Sequence, residues 1–438
     1  MKKPTLCVIF GGKSSEYEVS LRSAYGVITH IDTEKYDLVR LGITRYGEWY
    51  VFEGENGDIL NDTWHKKDVV PVTFDLSKGY LVVLDRNVYA IEVDLFLPIL
   101  HGEYGEDGRI QALFDIAGVK YVGCGAFCSH ICMDKALAKA VAKEKGVRVA
   151  KGVVVNAKCK VQNAKLILPQ SPAVTAPSEK EPLGCEVQNA KPLKADALKC
   201  KVQNAKCKID NPPVNCVDTP LPRKGAEGGE NAKCKVQNAK STILPPSESV
   251  PLPCSKGGEE GAELDFPVFV KPTMCGSSVG VSKVEAAEDL ALAVEEALKY
   301  GKEALIEEFI DGVEVEVGVL EIDGGLTVSE LGTVKHNGIF YDYDTKYKSE
   351  ENRYLIPAPV GKEVEKQLNE KAKTLFLALG CRGLSRFDFF VKGNGEVVFN
   401  EVNTMPGFTE KSMFPMMFKG LGLDYSQVVE AMIKNAIC

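Results

Sequence analysis

The residues with the clearest chemical potential lie in a predicted hairpin at residues 385–403, where two short apolar strands flank a glycine turn. Side chains alternate between the two faces of a strand. Arg386 and Asp388 therefore share one face of the first strand, and Glu401 and Asn403 share one face of the second. If those faces coincide, two carboxylates and an amide oxygen converge beside a guanidinium.

Such a cluster predicts metal and nucleotide chemistry. Hard oxygen ligands suit Mg²⁺ or Mn²⁺ better than zinc, and an arginine beside them suits a phosphate. The alternative is an exposed hairpin whose charges are simply solvated. We favour the site, because charged residues flank these apolar strands at a period of two.

Length and charge limit the possible functions. The chain has 438 residues, which suggests two or three domains, and a formal net charge of -8 without a basic block. That balance argues against nucleic acid as a partner. The first apolar run ends at Gly11, too early for a signal peptide, and no run approaches the length of a membrane span. We expect a cytoplasmic protein with no membrane partner.

Fourteen cysteines are scattered along the chain without paired C-x-x-C spacing. Cys128 and Cys132 lie four apart with His130 between them, which would allow a metal site. We favour buried thiols in a reducing compartment.

Two loops in the first 125 residues could contact a small substrate. A strand, the turn at Gly11 and a helix predicted from Glu16 place acidic residues where a carboxylate could hold an ammonium group. A second strand leads into a glycine-rich loop that contains His101 and Glu106, before a helix predicted over 109–117. For the second loop, helix capping and ligand binding remain equally open.

Residues 156–264 differ in composition from the rest of the chain. Val-Gln-Asn-Ala-Lys recurs from Val161, Val187, Val202 and Val236, at spacings too irregular for a solenoid. The stretch is rich in Pro, Ser, Lys and Glu and lacks aromatic residues, so it cannot bury much surface. We predict an inserted, largely disordered loop. A metal or anion site rich in lysine and cysteine is the alternative.

Several segments could bind a nucleotide. Lys271 ends a strand and precedes a small-residue loop, Gly276 to Gly280, whose backbone could fold over phosphates. Lys135, at a predicted helix start, could reach a phosphate or lie on the surface. Two later strands around Glu307 and Glu314 could clamp adenine and ribose, although the pattern there is weak.

Taken together, these motifs make the chain similar to D-alanine–D-alanine ligases of the ATP-grasp superfamily, on both sides of the insertion. The motifs that carry the resemblance are Phe10-Gly11-Gly12 with Glu18-Val19-Ser20, His101-Gly102 with Gly105-Glu106-Asp107-Gly108, Met133-Asp134-Lys135, Val270-Lys271-Pro272 with Gly276-Ser277-Ser278-Val279-Gly280, Tyr341-Asp342-Tyr343 with Lys346-Tyr347, Ser385-Arg386-Phe387-Asp388, and Asn400-Glu401-Val402-Asn403-Thr404 with Pro406-Gly407.

The resemblance implies an α/β fold with α+β lobes. An N-terminal open α/β domain (1–125) would precede a two-lobed ATP-grasp domain (126–438). Its central lobe (126–155 and 265–312) would be interrupted by the disordered insertion (156–264), and its C-terminal lobe would span 313–438. Family members are commonly homodimers, so we expect a homodimer.

The resemblance also implies roles for individual residues. The metal ligands would be Asp388, Glu401 and Asn403, holding two Mg²⁺ (or Mn²⁺) ions that bridge the phosphates of ATP. The remaining implied nucleotide contacts are Lys135, Lys271 and Lys346 on phosphates, Gly276 and Ser278 in the phosphate loop, and Glu307, Phe309, Ile310 and Glu314 around adenine and ribose.

The substrate residues follow in the same way. Glu18 would hold the ammonium of the first D-alanine, with His101 beside it, while Ser277 and Tyr347 would link Glu18 to a lid loop. Arg386 and the backbone of Gly407 would stabilise an oxyanion, and Ser412 would bind the second substrate's carboxylate.

The implied reaction joins two D-alanines with ATP through an acyl phosphate, for peptidoglycan precursor synthesis. A family member that takes D-serine or D-lactate as second substrate would have the same motifs. Lys346-Tyr347 argues against lactate, whereas serine and alanine are not distinguishable. An inactive nucleotide-binding protein that uses the insertion for interaction would also fit. Another ATP-grasp carboxylate–amine ligase is disfavoured by the motifs of Glu18 and His101.

Overall fold

The computed structural model describes residues 2–85, 88–156, 161–162, 165–166, 249–252, 262–335 and 353–437. Lys346, Tyr347 and most of the predicted insertion lie outside these residues.

A seven-stranded sheet forms the N-terminal lobe. Its strands are β1 (Thr5–Gly11), β2 (Asp37–Ile43), β3 (Trp49–Phe52), β4 (Val69–Asp75), β5 (Tyr80–Val83), β6 (Ala90–Ile91) and β7 (Leu95–Pro98). They lie in the order β6-β5-β4-β3-β2-β1-β7. β1 is parallel to β2 and β7, and its residues from Leu6 to Phe10 are all apolar, as expected for a strand with both faces buried. The helices here are α1 (Tyr17–His30), α2 (Asn56–Leu60) and α3 (Arg109–Ala117), with a 3₁₀ turn at Trp64–Lys66.

The central lobe has an antiparallel four-stranded sheet. Its elements, with the short strands that adjoin the predicted insertion, are α4 (Ala126–Met133), α5 (Lys135–Glu144), β8 (Gly152–Asn156), β9 (Val161–Gln162), β10 (Lys165–Leu166), β11 (Ser249–Leu252), β12 (Ala262–Asp265), β13 (Val268–Pro272), β14 (Ser282–Val284), a 3₁₀ turn (Ala287–Asp289), α6 (Leu290–Ala297) and β15 (Glu303–Glu308). The sheet order is β14-β13-β15-β8, while β9 pairs with β10 and β11 with β12. Leu264, the last residue of the predicted insertion, is buried in this lobe's core.

The C-terminal lobe has a second antiparallel sheet. Its elements are β16 (Gly312–Ile322), β17 (Gly325–Lys335), β18 (Arg353–Leu355), α7 (Lys362–Leu379), β19 (Leu384–Lys392), β20 (Val397–Asn403), α8 (Met413–Lys419) and α9 (Tyr425–Ile437). The strand order is β18-β17-β16-β19-β20. α7 buries Leu368, Ala372 and Leu375 at helical spacing, and it is followed by Gly380, whose φ of 72° suits a left-handed cap.

The N-terminal and C-terminal lobes share an apolar core. Alternate residues of β1, such as Val8 and Phe10, pack with Phe408 and Phe414 from the C-terminal lobe. This shared core holds the loops of the first lobe against the hairpin of the last. The predicted architecture of an open α/β domain followed by two mixed lobes is confirmed. Among the described residues, no helix is long and apolar enough to cross a membrane.

Candidate active site

The predicted hairpin forms, and its polar faces coincide. β19 and β20 pair antiparallel with Arg386 opposite Asn403 and Asp388 opposite Glu401. The register then shifts, with Phe389 opposite Phe399, so Asn400 lies in a bulge. The prediction that these four side chains converge is confirmed, while their role as metal and phosphate ligands remains a prediction.

Arg386 and Asp388 form a bidentate, buried ion pair. Nε of Arg386 lies 2.8 Å from Oδ1 of Asp388, and Nη2 donates to Oδ2 at 2.8 Å. Asn403 Nδ2 also donates to Asp388 Oδ2, at 3.0 Å. Glu316 on β16 brings Oε2 within 3.0 Å of Arg386 Nε. Burial alone would lower the pKa of Arg386, but Asp388 and Glu316 outweigh it and raise that pKa well above its usual value.

Glu316 was missed by the sequence reasoning. Val313-Glu314-Val315-Glu316 alternates, so Glu316 had to lie on the same strand face as Glu314. That spacing was the available signal. Its pairing with Arg386, on the neighbouring strand β19, could not be predicted from the sequence of β16 alone.

The carboxylate at the N-terminal edge of the site is Glu16. It is 8% exposed, lines the main cavity and accepts a hydrogen bond from Ser277 Oγ. Gly102 and Gly276 make this approach possible. Gly102 has a φ of 71°, and a Cβ on Gly276 would come to 3.0 Å from Glu16 Oε2.

Glu18 lies outside this cavity, and Ser277 bonds to Glu16 instead. The predicted link between Ser277 and Glu18 is therefore wrong. The Glu18 side chain is 51% exposed and lies 2.5 Å from Nη2 of Arg45. Helix α1 begins at Tyr17, so Glu16 precedes the helix and turns toward the loop of Ser277, whereas Glu18 is on the outer helix face. Glu16 therefore replaces Glu18 as the candidate for holding an ammonium group.

His101 is a buried bridge between lobes. Its Nδ1 lies 3.0 Å from the carbonyl oxygen of Met405, and its Nε2 lies 3.0 Å from Ser23 Oγ. A carbonyl can only accept, so Nδ1 carries the proton and Nε2 accepts from the hydroxyl. Ser23 Oγ in turn accepts from the amide of Phe408 at 3.2 Å. Burial lowers the pKa of His101, which favours this neutral form.

Glu106, in the same loop, is partly buried and also spans the lobes. Its two oxygens accept from the amides of Gly102 (2.8 Å) and Met405 (3.1 Å). Burial and the neighbouring Glu16 carboxylate raise the pKa of Glu106 to about 8. Two acidic groups, Glu16 and Glu106, therefore face one cavity, and at neutral pH Glu106 favours its protonated form.

The lysines form two groups. Lys135 Nζ donates to the carbonyl of Cys275 at 2.7 Å and lies 3.3 Å from Glu401 Oε2, at the hairpin. Lys271 and Lys139 both pair with the buried carboxylate of Glu307. The structure thus shows Glu307 paired with two buried lysines. Its predicted contact with adenine is untested.

Lys139 was missed by the sequence reasoning, although it follows Lys135 by one helical turn on α5. Burial lowers the pKa of Lys139 to about 8 despite the attraction of Glu307. For Lys271, burial acts in the same sense, but Glu307 outweighs it and raises the pKa. Burial alone would raise the pKa of Glu307, but the two lysines outweigh burial and lower that pKa.

A polar chain links this lysine pair to the hairpin. Lys271 Nζ lies 3.4 Å from Asn400 Oδ1, and Asn400 Nδ2 lies 3.4 Å from Glu314 Oε1. Beyond it, the amide of Phe309 donates to Pro267 at 3.3 Å, and Ile310 packs in a small core. Their predicted backbone contacts with adenine remain predictions.

The glycine loop adopts an unusual backbone. Ser277 and Ser278 have φ values of 53° and 57°, in the left-handed region that non-glycine residues rarely occupy. Such strain persists where surrounding structure holds it, often at ligand sites.

One cavity of about 400 Å³ brings most of these groups together. Its lining includes the predicted residues His101, Lys135, Gly276, Ser277, Ser278, Arg386, Glu401, Asn403, Gly407 and Ser412, together with Glu16, Glu106 and Glu316. Ser412 Oγ accepts from the amide of Thr409 at 2.9 Å, which orders the loop beside Gly407. The lining does not include Glu18, Lys271, Glu307, Phe309, Ile310, Glu314 or Asp388.

The hairpin's donor set fits a hard divalent cation. Asp388, Glu401 and Asn403 offer carboxylate and amide oxygens, the ligands that Mg²⁺ prefers. Arg386 does not exclude this use of Asp388, because Oδ1 accepts one hydrogen bond from Arg386 Nε and has a second lone pair. With lysines nearby, the arrangement can hold a metal and polyphosphate beside a carboxylate that suits an amine.

Comparisons with known proteins agree with this arrangement. The family described as D-ala D-ala ligase N-terminus matches residues 5–124, and D-ala D-ala ligase C-terminus matches residues 244–434. A D-alanine–D-alanine ligase of Caldicellulosiruptor bescii is 32% identical over 440 residues, covering 100% of this chain and 96% of that protein. One from Ruminiclostridium cellulolyticum is 33% identical over 451 residues, with coverage of 100% and 96%.

A solved structure is similar along the whole chain. The VanG D-Ala:D-Ser ligase from Enterococcus faecalis has a TM-score of 0.69 and 32% identity, covering 99% of this chain and 100% of that one. The two family matches together span more than half of the 438 residues. The chain therefore belongs to the D-alanine–D-alanine ligase family and has its ATP-grasp fold.

Proposed function

We propose that this protein joins two D-alanines into D-alanyl-D-alanine, with ATP as the energy source, for peptidoglycan precursor synthesis. The observation that carries the proposal is the shared cavity, where Glu16 faces the hairpin that bears Arg386, Glu401 and Asn403. An amine-binding carboxylate and a metal–phosphate site in one enclosure suit the activation of an amino acid carboxylate.

The first step is phosphoryl transfer. Glu16 holds the ammonium of the first D-alanine, and a carboxylate oxygen of that substrate attacks the γ-phosphorus of ATP. The bond to the β,γ-bridging oxygen breaks, giving an acyl phosphate and ADP. This step depends on positioning and on neutralising charge more than on a protein nucleophile.

The chain's own cations supply part of that neutralisation. Lys135 already faces the hairpin at Glu401, while Lys271 and Lys139 are held ready by Glu307. When bound at Asp388, Glu401 and Asn403, two Mg²⁺ ions would neutralise the phosphate oxygens. The paired carboxylates keep these lysines buried without ATP, and phosphate would take over part of that role.

The second step forms the peptide bond. The amine of the second D-alanine attacks the acyl carbon, inorganic phosphate leaves, and the amine loses a proton. Arg386 and the backbone amide of Gly407 stabilise the tetrahedral oxyanion, while Ser412 holds the second carboxylate. The acyl phosphate must be protected from water. We assign that task to the loop of Lys346 and Tyr347, which is outside the described residues.

The test is ADP release by purified protein with ATP, Mg²⁺ and D-alanine. We expect turnover that requires D-alanine and a dipeptide product identified by mass spectrometry. Folded protein that releases no ADP with D-alanine, D-serine or D-lactate would contradict the proposal and favour an inactive nucleotide-binding protein.

D-Serine as the second substrate is the alternative that a specific observation favours. The similar structure from Enterococcus faecalis is a D-Ala:D-Ser ligase. Equal concentrations of D-alanine and D-serine in one reaction distinguish the two, because the mixed dipeptide is heavier by one oxygen. We expect the D-alanine dipeptide to predominate.

We further propose that the protein works as a homodimer in the cytoplasm. The support is the family membership. Sedimentation equilibrium of the full chain, at concentrations used for the activity assay, tests the dimer, and a monomeric mass with full activity would contradict it.

A further inference from the structure

Four buried cysteines from distant parts of the chain meet in the C-terminal core. Cys124 precedes α4, Cys128 and Cys132 lie one turn apart on it, and Cys381 follows α7. Each is at most 6% exposed. Cys128 Sγ lies 3.7 Å from the Sγ of both Cys132 and Cys381, and the sulfurs of Cys124, Cys128 and Cys381 all lie within 4.8 Å of one another. The proposed ligase reaction uses none of them.

The two 3.7 Å spacings around Cys128 match thiolates around one small cation, and Cys124, Cys128 and Cys381 are close enough to one another to share it. Zinc–sulfur bonds are about 2.3 Å, so a tetrahedral site places its sulfurs roughly 3.8 Å apart. A disulfide would need about 2.0 Å, and all four cysteines are free thiols. Zinc is the biological divalent ion that most often takes three or four cysteine ligands in a closed structural site. We propose that this cluster binds one Zn²⁺ ion, with Cys128 and Cys381 among its ligands.

The surroundings favour such a site. α4 begins at Ala126, so Cys124 and Cys128 flank its N-terminal end, where the helix dipole favours negative charge. Ser385 Oγ lies 3.7 Å from Cys124 Sγ and can act as an outer partner. Cys132 lines the main cavity, which gives an ion a route of entry. His130 is exposed and takes no part, contrary to the ligand set suggested by Cys128-His130-Cys132.

The ion would join two segments that carry active-site residues. α4 leads directly into α5, whose first residue is Lys135, and Cys381 lies shortly before β19 with Arg386. Zinc would hold the start of α5 against the start of β19. It therefore has a structural role, and its loss should lower the thermal midpoint of unfolding before it changes the chemistry.

The test compares full-length variants, because the chain has fourteen cysteines and those outside the cluster could also take up metal. Wild type, Cys128→Ala and Cys7→Ala are dialysed against Zn²⁺ and then metal-free buffer, and their zinc content is measured. Cys7 is a matched control, since it is equally buried in a different core. We expect wild type and Cys7→Ala to retain one more zinc per chain than Cys128→Ala.

Cobalt adds a direct readout of the ligands. Co²⁺ in the wild type should give a thiolate charge-transfer band and tetrahedral visible bands, and both should be lost in Cys128→Ala. Loss of one ligand should weaken Zn²⁺ binding at least about 100-fold, because even outer-shell changes cost about 10–100-fold. If Cys128→Ala does not fold, Cys381→Ser carries the test with the same readouts and an expected weakening of about 10-fold or more.

Two results would overturn the proposal. One is equal zinc content and equal cobalt spectra in wild type and in a folded cluster variant, which would assign all bound metal to other cysteines. The other is a zinc-free native protein in which mass spectrometry under non-reducing conditions finds Cys128 and Cys381 joined as a disulfide.

Discussion

Replacing Glu16 by glutamine should weaken the use of the first D-alanine, whereas the same change at Glu18 should not. Glutamine keeps the shape of the side chain and can still accept from Ser277, but it removes the charge that would hold the substrate ammonium. A charge-assisted hydrogen bond in a buried site contributes about 2–3 kcal/mol. At about 1.4 kcal/mol per factor of ten, kcat/KM for D-alanine should fall roughly 30- to 150-fold in Glu16→Gln.

Glu18→Gln is the matched control. Its partner Arg45 is 46% exposed, so the pair contributes at most about 1 kcal/mol to stability. We expect its kcat/KM for D-alanine to stay within about twofold of wild type, because the change lies outside the cavity.

The assay is coupled ADP release with D-alanine varied at saturating ATP, and then with ATP varied. The KM for ATP should change little in either variant, and thermal unfolding should confirm that both are folded. A folded Glu18→Gln that loses activity while Glu16→Gln retains it would refute the reassignment from Glu18 to Glu16.

Three further predictions concern buried groups and packing. The raised pKa of Glu106 means that only the unfolded state ionises between about pH 4.5 and 8, so this group makes the free energy of unfolding fall as pH rises through that window. Glu106→Gln should reduce that fall by roughly a few kcal/mol in total, measured by urea unfolding at a series of pH values, and an unchanged pH dependence would contradict the prediction. Lys139→Met should raise the KM for ATP about 10-fold at pH 7. In the wild type, ATP should bind more weakly above pH 8, where Lys139 becomes neutral, and the variant should not show this pH dependence. Equal pH profiles of ATP binding in the two proteins would argue against a role for Lys139. Gly42→Ala should lower the free energy of unfolding by about 1–3 kcal/mol, because a Cβ would overlap the Trp64 ring. Gly57→Ala is the control, because a Cβ at that position meets open space. Equal midpoints of thermal unfolding in the two variants would contradict the packing argument.

The hairpin was predictable because its signal is local. Asp388 and Arg386 are two residues apart in a strand, and so are Glu401 and Asn403, which fixes their faces once the register is formed. The same holds for α7, whose apolar spacing and terminal glycine are both local. Open α/β topology followed from the alternation of strands and helices and from the resemblance.

Other parts of the site depend on features that sequence spacing does not express. Choosing between Glu16 and Glu18 required knowing that α1 begins at Tyr17, and helix starts are uncertain by a few residues. Lys139 gains its importance from Glu307, which is 168 residues away in the chain.

The cysteine cluster shows the same limit. Cys128 and Cys132 were noticed as neighbours, but Cys381 is 253 residues from Cys128, and packing of α4 against the end of α7 is what brings them together. His130 lies between Cys128 and Cys132 in the sequence, but its side chain is exposed and does not join the cysteine cluster.

The central claim is that a D-alanine carboxylate is phosphorylated and then captured by an amine, and an isotope experiment tests it most directly. D-Alanine labelled with ¹⁸O in both carboxylate oxygens is converted with unlabelled ATP and water, and the inorganic phosphate is analysed by mass spectrometry. The account predicts one ¹⁸O atom transferred to phosphate for each dipeptide formed, because the oxygen that attacks the γ-phosphorus leaves with it. Phosphate without label, in a reaction that makes dipeptide, would contradict the account.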